Sequence, residues 1–114
     1  MNKYFTFMDG VEMNRNHPDT FHIPDAGEKA AIKIGDFVKI GFIPTDDAKK
    51  EGIDITERMW VKVSELDAPR GDSEPLFLTG TLANDPFVFS DVLSFEDVVS
   101  FENRHILSIM PGDE

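Results

Sequence analysis

Residues 57–86, ERMWVKVSELDAPRGDSEPLFLTGTLANDP, decide the architecture of this 114-residue chain. From Met59 the residues alternate, with Met59, Val61 and Val63 on one side and Trp60, Lys62 and Ser64 on the other. That is the period of a strand with one buried face. The returning segment repeats it: Leu76, Leu78, Gly80 and Leu82 share a face, and Phe77, Thr79 and Thr81 take the opposite one. Between them LDAPRGDSEP carries Pro69, which presets its own φ, and Gly71, which tolerates positive φ, amid charges with nothing apolar to bury against. The stretch therefore reads as a β-hairpin. Gly80, with no side chain to pack in mid-strand, marks a bulge, a bend or the close crossing of a large residue such as Trp60, and the bend is the favoured reading.

Upstream, Phe37 to Ile43 alternates Val38, Ile40 and Phe42 with Lys39 and Gly41, predicting a strand entered through a turn at Ile34, Gly35 and Asp36. Thr45 is placed to cap a short helix running through Lys50, with Gly52 ending it. Asp25, followed three residues on by Glu28, has the spacing of a capping box and predicts one or two helical turns toward Ile32. Tyr4 to Met8 reads as an edge strand, Asp9 to Asp19 as irregular chain, and Thr20 to Ile23 as a short strand or an arm stopped by Pro24. Downstream, Leu93, Phe95, Val99 and Phe101 fall on alternate positions, and Ile106 and Ile109 complete the apolar pattern, so two further short strands are expected.

Five or more short strands with tight turns and little helix predict a mainly β fold: a small bent antiparallel sheet or a partly open SH3-like or OB-like barrel with one or two short helices. A layered α+β sheet is the alternative. The length suits a single domain over 1–114, with an irregular N-terminal arm over about 1–19 and a short flexible tail at 111–114. Ten Phe against one Trp and one Tyr make phenylalanine the expected bulk of the core.

Twenty-two acidic against eleven basic residues give a formal charge of −11. Such a surface repels nucleic-acid phosphates and anionic membranes, and it attracts a basic protein. The oligomeric state is not legible. With no cysteine the chain has neither disulfides nor thiolate metal sites, and no apolar run approaches the roughly 20 residues of a membrane span. A cytoplasmic protein is the expectation.

Four residues stand out as binding candidates. Trp60, the sole tryptophan, is either a core keystone or an interface anchor. Asn84 and Asp85 precede Pro86 in a turn, where an Asx side chain ordinarily bonds the backbone just beyond it; the sharper reading makes Asp85 a ligand or partner contact. His105, beside Ile106, reads as a hydrogen-bonded edge residue. His17, His22 and His105 lack a metal-ligand spacing, so neither a metal nor another cofactor is expected. The Arg70-Gly71-Asp72 tripeptide reads as turn chemistry, and Asp46 with Asp47 as a solvated face. There is no phosphate-binding glycine loop, no nucleophile elbow and no catalytic cysteine, so no catalytic residue is assigned.

The segments HPDTFHIP (17–24), GDFVKIGF (35–42), ERMWVKV (57–63), LTGTLANDP (78–86) and LSFEDVVSFENRHI (93–106) together resemble the bacterial YegJ-type domains of unknown function and the related immunity-protein domains of polymorphic toxin systems. Two positions depart from that pattern. The chain ends ILSIMPGDE where those domains tend to close Ile-x-Asp-Trp, and Glu96 stands where they often carry Gly before Asp97. The resemblance implies a small interaction domain that binds and blocks a toxin, and it transfers no catalytic residue. The alternative is a small-molecule-binding or enzymatic domain with a cleft near Trp60 and Asn84. A third reading has the carboxylates mimicking nucleic acid.

Overall fold

The computed structural model describes residues 3–67 and 75–112. Six strands form one antiparallel sheet that curls into a nearly closed barrel: β1 (Phe5–Phe7), β2 (Phe37–Pro44), β3 (Glu57–Leu66), β4 (Phe77–Leu82), β5 (Val98–Glu102) and β6 (Ser108–Met110). β1 to β5 lie side by side in chain order. β6 returns to β2, pairing Phe37 to Lys39 on the edge whose other end, Phe42 to Pro44, is taken by β1. The mainly β expectation holds, and with it the edge strand near the N-terminus.

The alternation seen in the sequence sets the two faces. Val38, Ile40 and Phe42 of β2, Met59, Val61 and Val63 of β3, Leu78 and Leu82 of β4, and Val99 and Phe101 of β5 are all buried on the inner side. Phenylalanines tie this core together. Phe42 and Phe89 are fully buried, and Phe42 lies 5.1 Å from Phe5 and 5.4 Å from Phe7, ring centre to ring centre. Burying such a side chain contributes on the order of 2–3 kcal/mol. Leu76 departs from the expected face: it precedes β4 and is exposed, since the ladder begins only at Phe77.

Gly80 sits opposite a bulge, the alternative to the favoured bend. Val63 pairs with Gly80 and Glu65 with Thr79, so Ser64 is the extra residue, carried by β3. A Cβ on Gly80 would come within 2.4 Å of the Lys62 carbonyl oxygen and 2.6 Å of Val61 Cγ1. The close approach is therefore to the Val61–Lys62 stretch of the neighbouring strand, not to Trp60.

Three short α-helices decorate the barrel. In α1 (Gly10–Asn16) the Asp9 side chain caps the N-terminus, accepting the Glu12 N–H at 3.0 Å. Helix replaces the irregular chain expected over Asp9 to Asp19, because Asp9 supplies the missing acceptor and Gly10 lets the first turn pack against Leu107, which lies 3.0 Å from where a Cβ would stand. α2 (Ala26–Ala30) opens with the expected capping box between Asp25 and Glu28. α3 (Asp46–Lys50) is capped by Thr45, and Gly52, at φ +87°, leaves it in the left-handed region. Thr20 to Ile23 forms no strand; the Asn14 amide holds it by donating to the Phe21 carbonyl at 2.8 Å.

Two terminal expectations change. The segment from Leu93 to Phe95 is not a strand, and Phe95 is exposed, because the chain turns there with Glu96 at φ +72° before β5 begins. Nor is the tail loose at Gly112, whose N–H donates to Asp36 Oδ1 at 3.0 Å. Asp36 is buried and also accepts from the backbone N–H and the ammonium group of Lys33. Burial opposes ionisation of this carboxyl, but the N–H groups of Gly112 and Lys33 and the Lys33 charge outweigh it and hold Asp36 below the usual range. The hairpin loop over 68–74, with its Arg70-Gly71-Asp72 tripeptide, lies outside the described residues, as do residues 113–114 of the expected flexible tail.

Candidate functional site

β3 presents Arg58, Trp60 and Lys62 on the outer face, and its register places Lys39 of β2 directly opposite Trp60. The Lys39 ammonium sits 4.9 Å from the Trp60 ring centre, a contact worth about 0.5–1 kcal/mol at an exposed site. Arg58 likewise lies over Phe21 at 5.5 Å. Trp60 is thus half-buried under a cation and flanked by two more. It is neither core keystone nor bare anchor. In a molecule of charge −11 this face gathers three cations, Lys39, Arg58 and Lys62, around one ring.

Asn84 does not bond its own turn. Its side-chain oxygen accepts the Trp60 N–H at 2.5 Å, and the neighbouring Ala83 N–H donates to the Trp60 carbonyl at 2.9 Å. The side chain therefore extends the β3–β4 ladder past the last residue of β4 and spends its acceptor on structure. Asp85 beside it is exposed.

A residue that the sequence did not single out completes this junction. Glu57 Oε2 accepts from Phe87 N at 2.8 Å, and Oε1 accepts from Val88 N at 3.0 Å and Phe89 N at 3.1 Å. One carboxylate thus satisfies three successive backbone donors, as an acid does at a helix N-terminus. The signal in the sequence was an acid opening β3 and a loop of successive donors after Pro86, separated by 30 residues. Nothing local links them.

His105 lies elsewhere, in a 3-10 turn (Asn103–His105) after β5. Its Nδ1 accepts the Glu102 N–H at 3.0 Å, and its ring lies 5.2 Å from that of Phe7. Burial pushes its pKa down, with Arg104 acting in the same direction and Glu102 and Asp9 opposing. His105 is hydrogen-bonded, but it stands in a turn beyond β5 and not on a strand edge. Arg104 holds the turn in place, bonding Glu102 Oε1 at 3.0 Å and reaching Asp9 Oδ2 at 3.6 Å.

His105 also borders a groove of about 1040 Å³ at the open seam of the barrel, between β1 and β5. Phe7, Phe77, Val92, Val98 and Phe101 give it an apolar floor and walls, and among the described residues its ionised lining groups are Asp97 and Glu102, the latter paired with Arg104. Trp60, Asn84 and Asp85 do not line it. The structure therefore divides the expected site: Trp60 and Asn84 meet at the β3–β4 junction, whereas His105 belongs to the seam. Among the described residues no group of three or more His, Asp or Glu side chains is placed to hold a metal ion, and no helix is long and apolar enough to cross a membrane.

No family model, no curated protein and no solved structure matches this chain.

Proposed function

We propose that this chain is a small acidic interaction domain of the immunity type, which binds a basic protein, a toxin, and blocks it by covering its working surface. The observation that carries this reading is the pairing of a −11 charge with exposed apolar side chains: Phe77 is 62% exposed, Val98 70% and Phe87 87%. Isolated exposed apolar residues are ordinary. Here Phe77 and Val98 stand on the same outer face at opposite ends of the β4–β5 ladder, with Thr79 and Ser100 between them, and both line a groove that Asp97 and Glu102 also border. Charge brings a basic partner to such a surface, and apolar area holds it there.

Stoichiometric capture of one basic protein at low salt, released as salt rises toward roughly 0.5 M, is the expected outcome of affinity purification from the host cell, because screening shortens the reach of surface charge. Retention of a small molecule with no protein would overturn it and favour a ligand-binding domain.

A further inference from the structure

The seam is bordered by unpaired backbone. Leu82 N donates to Asp97 O at 2.8 Å and Asn103 N to Leu76 O at 3.1 Å, and between them β4 and β5 pair Gly80 with Val99 and Leu78 with Phe101. In an antiparallel ladder alternate residues bond the same neighbour. Val99 and Phe101 therefore face β4, and the N–H and C=O groups of Val98 and Ser100 project from the free edge of β5. Among the described residues β5 pairs with β4 alone, so no other ladder takes them, and no turn or loop bond does either. Across the groove, the bonds from Met8 N to Gly41 O and from Thr45 N to Tyr4 O put Tyr4, Thr6 and Met8 in the bonded phase. Phe5 and Phe7 of β1 are left facing the seam.

We infer that the seam is a strand-addition site, taking an extended segment of about five residues that alternates apolar with Lys or Arg side chains and pairs with β5. The inference rests on the interaction reading above and names where and how the partner binds. The free groups recur every second residue, which matches an extended backbone; a helix bonds its own backbone and offers none. Apolar side chains of such a segment meet Phe7, Val92 and Phe101, and cationic ones approach Asp97, whose Oδ2 also caps the Ser94 N–H, and the outer oxygen of Glu102, whose Oε1 is held by Arg104. A second copy of this chain is a poor occupant, because each brings a charge of −11 to an acidic seam.

The probe is a synthetic eight-residue peptide of alternating Val and Lys, with a twin whose amides are N-methylated at every second residue. Expected is slowed hydrogen exchange at the Val98 and Ser100 amides with the first peptide, and affinity weaker by roughly tenfold for the twin, the worth of one or two lost hydrogen bonds. Val98→Lys, at an exposed position and with the backbone unchanged, should weaken the first peptide similarly by placing a cation on the edge. Three results overturn the site: no binding, equal binding of the twin, or sedimentation of the chain alone as a dimer with those amides already protected. If the basic protein is captured equally well by Val98→Lys, the seam assignment falls and the interaction reading stands. If the peptide seats on β5 but no basic protein is captured, the seam chemistry stands and the immunity reading falls.

Discussion

The Glu57 carboxylate, at the start of β3, accepts the N–H of Phe89 at 3.1 Å, fastening the segment after β4 where its aromatic ring enters the core. Phe89 reaches both Phe5 and Phe42, at 6.1 and 6.3 Å between ring centres, so a surface carboxylate positions a central piece of packing. Replacing Glu57 by Ala orphans this N–H and those of Phe87 and Val88. The expected loss is on the order of 2–3 kcal/mol, read from the urea midpoint. Glu57→Gln, which keeps an acceptor oxygen, should lose less.

Gly80→Ala tests the close approach at the bulge. The new methyl would lie 2.4 Å from the Lys62 oxygen, and that atom belongs to backbone which cannot swing aside. A destabilisation of roughly 1–3 kcal/mol is expected, as for overpacking elsewhere. An alanine as stable as the wild type would show that β3 and β4 separate freely there.

Glu96 offers the opposite sign. It holds φ +72° with no glycine's freedom, while its N–H donates to the Leu82 carbonyl at 2.7 Å and so fixes the turn. Glu96→Gly should raise stability by about 0.5–1 kcal/mol in thermal or urea unfolding, since relief of the left-handed strain exceeds the added freedom of the unfolded chain.

His105 makes stability depend on pH. Its folded-state pKa lies below the ordinary 6.5, chiefly through burial. The unfolded chain therefore binds the proton first, and stability falls as pH drops below about 6.5, levelling once the folded histidine also protonates. Protonation also removes the Nδ1 acceptor from the Glu102 N–H. His105→Gln should flatten the denaturation midpoint between about pH 6.5 and the onset of carboxylate titration; an unchanged slope would assign the dependence to another group.

Much of the fold was legible because local chemistry and global structure agree. Alternation at Val38, Ile40 and Phe42 and at Met59, Val61 and Val63 gave the core strands, and Asp25 with Glu28 and Thr45 gave two helix starts. α1 was missed although Asp9 and Glu12 carry the same three-residue cap spacing, because no apolar period followed it. Leu76 and Phe95 obeyed the period but lie outside any strand. The candidate site was legible only in pieces. Asn84 was recognised as a turn residue, but its bond to Trp60 spans 24 residues, and Glu57 and Asp36 act across 30 and 76. Such side-chain to backbone bonds depend on the sheet's curvature, which no local pattern encodes. The seam is likewise a property of two strands, β1 and β5, at opposite ends of the chain.

β2 is the strand that this arrangement depends on most. One edge takes β3, and the other is shared by β1 and by β6. Two segments far apart in sequence, 5–7 and 108–110, therefore complete one edge between them, and Gly112 adds its grip on Asp36 just beyond. Removing residues 108–110 would leave the Phe37–Lys39 edge bare, open to whatever strand is nearest.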